Sequence, residues 1–311
     1  MFETFKIVLN QMMVLFLFIL IGYVLRKKSI IPNNSDNVIS KLEVNVIVPC
    51  LSFITFANRC TLDNLIQHSN LLIYGAGVLA AAILICYILA PMFTKDTYVQ
   101  NIYRYALAVA NFSYMGNAIV LGMYGEEMLF KYMLFTLPLN LMTYSWGAYI
   151  LTPKEAGAKF SIKSLINPIT VSLFLGMIFG LLNLTAYLPN FVSSTISSAS
   201  SCMGPLAMIL TGFVIGNYPL KDLITDKKVY IASLLRLIVI PTIFLLVLKF
   251  INAPVDILKL TLFGYACPLG LNTVVFPAVY GKDTMTGARM ASVSHVISVL
   301  TIPLMYMLFI G

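Results

Sequence analysis

Residues 111–117 read NFSYMGN and residues 267–277 read CPLGLNTVVFP, two polar stretches with glycine and proline set in otherwise apolar chain. Their side chains are amides and hydroxyls: Asn111, Ser113, Tyr114 and Asn117 in the first, Asn272 and Thr273 in the second. Such groups hold a solute by hydrogen bonds. Gly116, Pro268, Gly270 and Pro277 mark points where a helix would break, because glycine loosens the backbone and proline withholds a donor. A broken helix presents unpaired N–H groups, equivalent to about half a positive charge, at its new N-terminus. Two such ends with the amides of Asn111, Asn117 and Asn272 would cradle a carboxylate, and Tyr114 and Phe276 would supply apolar wall.

The remaining ionisable groups narrow the chemistry. Eleven of the twelve carboxylates fall in loops or near span ends, and Glu43 alone enters a span, close to its cytoplasmic start. A centre that bound sodium or protons would want a carboxylate at mid-depth, so a small anion or a neutral solute is expected there. Glu43 reads first as an interfacial partner of nearby lysines and second as an energy-coupling group. His295, in the last span, reads first as a packing histidine and second as a proton relay. Arg236 lies about seven residues into its span, roughly 10 Å deep, and is expected to snorkel back to the cytoplasmic surface. No nucleophile with a base, paired carboxylates or metal-ligand cluster stands out, so neither catalysis nor a cofactor or metal is expected. Five scattered cysteines suggest no disulfide framework.

The elements that must position these groups are membrane spans. Hydrophobic residues make up 59% of the 311 and charged residues only 10%, against about 25% charged in an ordinary soluble domain. Ten apolar runs approach the roughly 20 residues a bilayer needs: 7–25, 42–58, 71–93, 102–124, 128–151, 165–184, 199–217, 229–251, 257–280 and 287–310. The first has no small-residue cleavage site and is expected to be retained. Fourteen of the twenty basic residues fall after odd-numbered spans. The positive-inside rule therefore puts those loops in the cytoplasm and both termini outside, in the cell membrane. The net charge of +8 is thus a topology signal, and nucleic acid is not an expected partner.

The two polar stretches are also repeats of one another. GYVLRKKSIIPN from Gly22 answers GLLNLTAYLPN from Gly180, Pro49 answers Pro205, and Tyr124-Gly125 answers Tyr280-Gly281, at offsets of 156 to 158. Five spans per half make the second copy enter from the opposite side. The expected architecture is all-α: an inverted pair of five-helix repeats, 1–151 and 165–311, joined by a cytoplasmic linker at 152–164. Spans 4 and 9 would be interrupted and crossed near mid-membrane.

These features together resemble the auxin efflux carrier family, in its bacterial branch related to plant PIN proteins. The resemblance rests on Val48-Pro49 in span 2, NFSYMGNA in span 4, Cys267-Pro268 through VYGKD in span 9, and the closing SVSHVISVLTIPL. Asn111 and Gly116 keep the family's register, while Ser113 and Ala118 replace its glycine and proline. The resemblance implies a homodimer, with a scaffold from spans 1–2 and 6–7 and a transport domain from spans 3–5 and 8–10. It also implies elevator-type alternating access for a small organic acid, auxin-like or a dicarboxylate. Rival readings are a channel, a solute sensor, an intramembrane enzyme, or a carrier for a neutral metabolite.

Overall fold

A computed structural model describes residues 2–32, 34–153 and 162–311, and the regular elements among them are helices. Six are long and apolar enough to cross a membrane: Glu3–Lys27, Ser35–Arg59, Asn70–Met92, Asn190–Gly216, Lys227–Phe250 and Met285–Phe309. They coincide with expected spans 1, 2, 3, 7, 8 and 10. Where spans 4, 5, 6 and 9 were expected, the helices are short or broken. Pro168–Leu181 has 14 residues. Thr97–Ala108 stops and resumes at Phe112–Gly116 and Asn117–Phe135. Val255–Tyr265 stops and resumes at Asn272–Val279. Positions 154–161 of the linker, with Lys154 and Lys159, lie outside the described residues.

The local causes are legible residue by residue. Pro268 has no N–H and biases Cys267 away from helix, so Val255–Tyr265 cannot run on. Pro277, by contrast, sits inside Asn272–Val279, and the break precedes it at 266–271. Wide π-turns at Glu43–Ile47 and Leu235–Val239 each end two residues before a proline, Pro49 and Pro241. There they absorb the donor that proline cannot give to the carbonyl four residues back. Gly125 and Gly281, 156 residues apart, both have positive φ, 77° and 62°, and turn the chain after each polar stretch.

The most extensive helix pairings join Phe2–Lys27 to Met203–Gly216 and Val48–Arg59 to Pro168–Leu181. The first helix buries Val8, Met12, Leu15 and Ile19 while Ile7, Leu17, Leu20 and Ile21 remain outward. A helix apolar on both faces suits lipid on its outer side. Lipid-embedded helices associate through small residues that let backbones approach, and that is the device here. A Cβ on Gly22 would strike the Ile209 carbonyl, one on Gly212 the Ile19 carbonyl, and one on Gly180 the Phe56 and Cys60 carbonyls. These glycine contacts lie within one chain.

Arg236 departs from its expected place. It is fully buried and does not reach the surface. Glu43 departs too: it is fully buried, and among the described residues neither carboxylate oxygen has a hydrogen-bond partner.

Because backbone occupies the space a side chain would need, Gly212→Ala should destabilise the fold by about 1–3 kcal/mol, the usual cost of overpacking. Gly77, with nothing within 4 Å of its would-be Cβ, should accept alanine without loss. Thermal unfolding of the two purified variants checks the contrast, and equal behaviour would refute the close-packed pairing.

Candidate functional site

The two broken helices meet. Ala110 and Leu269 form an antiparallel bridge, and the Asn111 N–H donates to the Pro268 carbonyl at 2.7 Å. This contact explains how both chains stay broken inside an apolar body. In a continuous helix the Asn111 N–H would serve the Leu107 carbonyl, so the crossing orphans that carbonyl. Arg236 takes it over, with Nη1 2.9 Å from the Leu107 oxygen and the guanidinium carbon 5.6 Å from the Tyr265 ring centre. Phe263, 156 residues after Leu107, is the corresponding carbonyl in the second half. The Tyr132 hydroxyl donates toward it at 3.2 Å and toward the Phe112 carbonyl at 3.0 Å. Each break therefore has its own buried donor.

Beside the crossing lies a cavity of about 240 Å³. An apolar cavity of about 150 Å³ admits benzene, so this one suits a small metabolite. Asn111, Ser113, Tyr114, Gly270, Asn272 and Phe276 line it together. The breaks turn helix starts toward it. The Asn111 carbonyl accepts from Met115 and Gly116, and the helix-starting residues Phe112, Ser113 and Tyr114 are on the cavity wall. Leu271 and Asn272 open the second helix on the same wall.

The two asparagines are held in orientation. Asn272 Nδ2 donates to the Tyr105 hydroxyl at 2.7 Å. His295 Nδ1 is 2.7 Å from the Ala291 carbonyl, which can only accept, so that nitrogen carries the proton. Nε2 is then the acceptor for Asn111 Nδ2 at 3.3 Å. Each amide nitrogen keeps a second N–H. His295 thus packs against and orients Asn111.

Other expected site residues stand apart from this wall. Thr273 is buried behind it, its hydroxyl on the Gly270 carbonyl at 3.0 Å. Gly116 faces Tyr132 and has no room for a Cβ. Asn117 lines a smaller adjoining cavity, and Glu43 lies on the helix turn that brings Ser40 and Val44 to the main one. Sequence reasoning missed Tyr105, Thr143 and Tyr144 on the wall. The last two follow Asn140, also lining, by three and four residues, and helical spacing puts all three on one face.

A second cavity of about 420 Å³ adjoins the first, sharing Ser40, Leu210 and Val275 with it. It leads toward Asn34, Asp36, Asn217 and Thr284, which belong to segments expected to be cytoplasmic. At the other end, Arg59 meets Glu126 at 3.4 Å, and Lys131 meets Glu127 at 3.2 Å and Asp256 at 3.4 Å. Exposed pairs like Arg59–Glu126 contribute little individually.

The model of a family described as membrane transport protein matches residues 7–306. An uncharacterized transporter, C5D6.04, of Schizosaccharomyces pombe is 34% identical over 99 residues, which cover 32% of this chain and 22% of that protein. The chain thus matches about a fifth of that relative's length.

The crossing makes a paired test of two buried tyrosines. Tyr132→Phe removes the hydroxyl shared by the Phe112 and Phe263 carbonyls and should cost about 1–3 kcal/mol. The Tyr265 hydroxyl has no hydrogen-bond partner among the described residues, so Tyr265→Phe should be neutral or stabilising. Denaturation midpoints of both variants decide it; a harmless Tyr132→Phe would remove the hydroxyl from any capping role.

Proposed function

The chain belongs to the membrane transport protein family, that of the auxin efflux carriers, and from that premise we propose that it carries a small organic anion by alternating access. One observation carries the reading: two helix starts and two oriented asparagine amides converge on one small cavity at a backbone crossing. Donors and positive helix ends pointing inward select negative charge. The aromatic rings of Tyr105, Tyr114 and Phe276 suit an apolar carbon skeleton. Asn111 and Asn272 make the main contacts, Ser113 and Tyr114 support them, and Pro268 and Gly270 shape the opening.

The architecture we propose around this site is two inverted five-helix repeats. Equivalent breaks, equivalent glycine turns and equivalent capped carbonyls at an offset of 156 support it. Spans 1–2 and 6–7 form the scaffold of a homodimer, and spans 3–5 and 8–10 the moving body. The wide cavity toward the basic end and the ion pairs at the opposite end fit an inward-facing state. Both termini then lie outside the cell membrane.

Asn111→Ala and Asn272→Ala should each lower uptake or counterflow of the transported acid at least about tenfold, equivalent to about 1.4 kcal/mol of lost binding. Both variants should keep the wild-type elution profile. A thermal-shift screen of small carboxylates on purified protein identifies the acid, because a ligand of the folded state raises its apparent stability. Unimpaired transport by both variants would defeat the assignment.

A further inference from the structure

The carbonyl one turn before each break is closed by a different kind of donor. In the second half Tyr132, a neutral hydroxyl, serves the Phe263 carbonyl at 3.2 Å. In the first half Arg236, a full cation, serves the Leu107 carbonyl at 2.9 Å. Capping alone therefore does not call for a charge. Burying a charge costs far more than burying a hydroxyl, and a guanidinium does not escape that cost by losing its proton.

Arg236 is fully buried, and among the described residues its Nε and Nη2 have no hydrogen-bond partner. The groups that act on it electrostatically are Tyr265, Cys267, Tyr132 and Cys86, none of them a carboxylate. The Leu107 carbonyl and the face of Tyr265, with its ring centre 5.6 Å from the guanidinium carbon, compensate in part. Neither carries a full negative charge.

The anion cavity begins close by. Leu107 falls between Tyr105 and Val109, both on the cavity wall, and Asn111 follows it by four residues. Tyr132, on which Arg236 acts, also holds the carbonyl of Phe112, another wall residue. These links put the guanidinium on the order of 10 Å from a solute at the crossing. At an effective dielectric of about 20, unit charges at that separation shift a binding equilibrium by about tenfold. Asparagine N–H groups donate to a carboxylate or to a neutral amide carbonyl; a fixed cation tells the two apart.

We infer that Arg236 is the fixed countercharge of the carried anion, a specificity-determining residue that acts through the protein interior without touching the solute. This deepens the carrier reading of the main cavity and rests on it. Arg236 belongs to the helix Lys227–Phe250, which that reading places in the moving body, so the loaded site travels as a neutral pair.

The test titrates the purified full chain in detergent with phenylacetate and succinate, each against its neutral amide, phenylacetamide and succinamide. Affinity is read from the thermal shift, since a ligand of the folded state raises its apparent stability. The wild type should prefer acid over amide by about tenfold or more. Arg236→Gln keeps a donor for the Leu107 carbonyl and removes the charge, so acid affinity should fall about tenfold while amide affinity stays unchanged. Arg236→Lys keeps the charge and should keep the preference. An Arg236→Gln protein that retains the wild-type acid preference, while Asn111→Ala loses acid binding, would overturn this inference and leave the carrier reading standing. Failure of both Arg236→Gln and Arg236→Met to fold would assign the charge to the fold itself and overturn it equally. Absence of a wild-type shift with both acids would remove the carrier reading and this inference together.

Discussion

The backbone pairing of residues 110–111 with 268–269 is the contact on which the rest of the centre depends. In an apolar surrounding, every peptide group that leaves a helix must find another partner, at a cost of several kcal/mol if it does not. Two helices broken separately would each expose such groups. Broken at one place and laid antiparallel, each supplies the other. Among the groups that this pairing does not serve are the carbonyls one turn earlier, Leu107 and Phe263, and the chain has put Arg236 and Tyr132 on them. On the other side of the breaks, the first-turn N–H groups of the two resumed helices have no acceptor within their own helix. The asymmetry is chemical: carbonyl ends are closed by protein donors, whereas amide ends are left to face the cavity.

Arg236 shows what burial of a charge does in such a place. Among the described residues its Nε and Nη2 have no hydrogen-bond partner and no carboxylate pairs with it. An uncompensated buried cation is expensive unless something else balances it. A carbonyl at a helix C-terminus, which carries partial negative charge, balances part. The face of Tyr265 balances more, through the ring quadrupole. On the carrier reading, an anion in the neighbouring cavity adds a third favourable term, felt through a low-dielectric interior.

How much of this could be read from the sequence varies with the physical cause. Pro268 announces the second break by itself, because proline acts locally. The first break has no proline: Val109 is extended (φ −114°, ψ 114°) because residues 268–269 pair beside it. That cause is 159–160 residues away, and only the repeat alignment hinted at it. Gly22 and Gly212 each lie against the backbone of another helix, and which helix a glycine touches is a property of the assembled chain rather than of its local sequence. The depth of Arg236 was legible and its direction was not, since the carbonyl it caps belongs to the other half of the sequence. Tyr105 was invisible as a wall residue because its role comes from Asn272, far along the chain.

The division of labour around the cavity bears on how a solute would cross. The amides and helix starts come from the crossing helices and their neighbours: Asn111, Ser113, Asn140, Thr143 and Asn272. The helices Pro168–Leu181 and Met203–Gly216 contribute Ile169 and Leu210, and the span containing Glu43 contributes Ser40 and Val44. The polar grip thus comes mostly from the crossing helices and their neighbours, and the rest of the wall is mostly apolar. A body carrying all its own hydrogen bonds can slide along an apolar wall without breaking them, because dispersion contacts have no register to lose. A fixed pore built from both groups would instead need polar atoms spread along its whole length to replace hydration as the solute passed. Here the amides of Asn111 and Asn272 are gathered beside the crossing, as the alternating-access proposal requires.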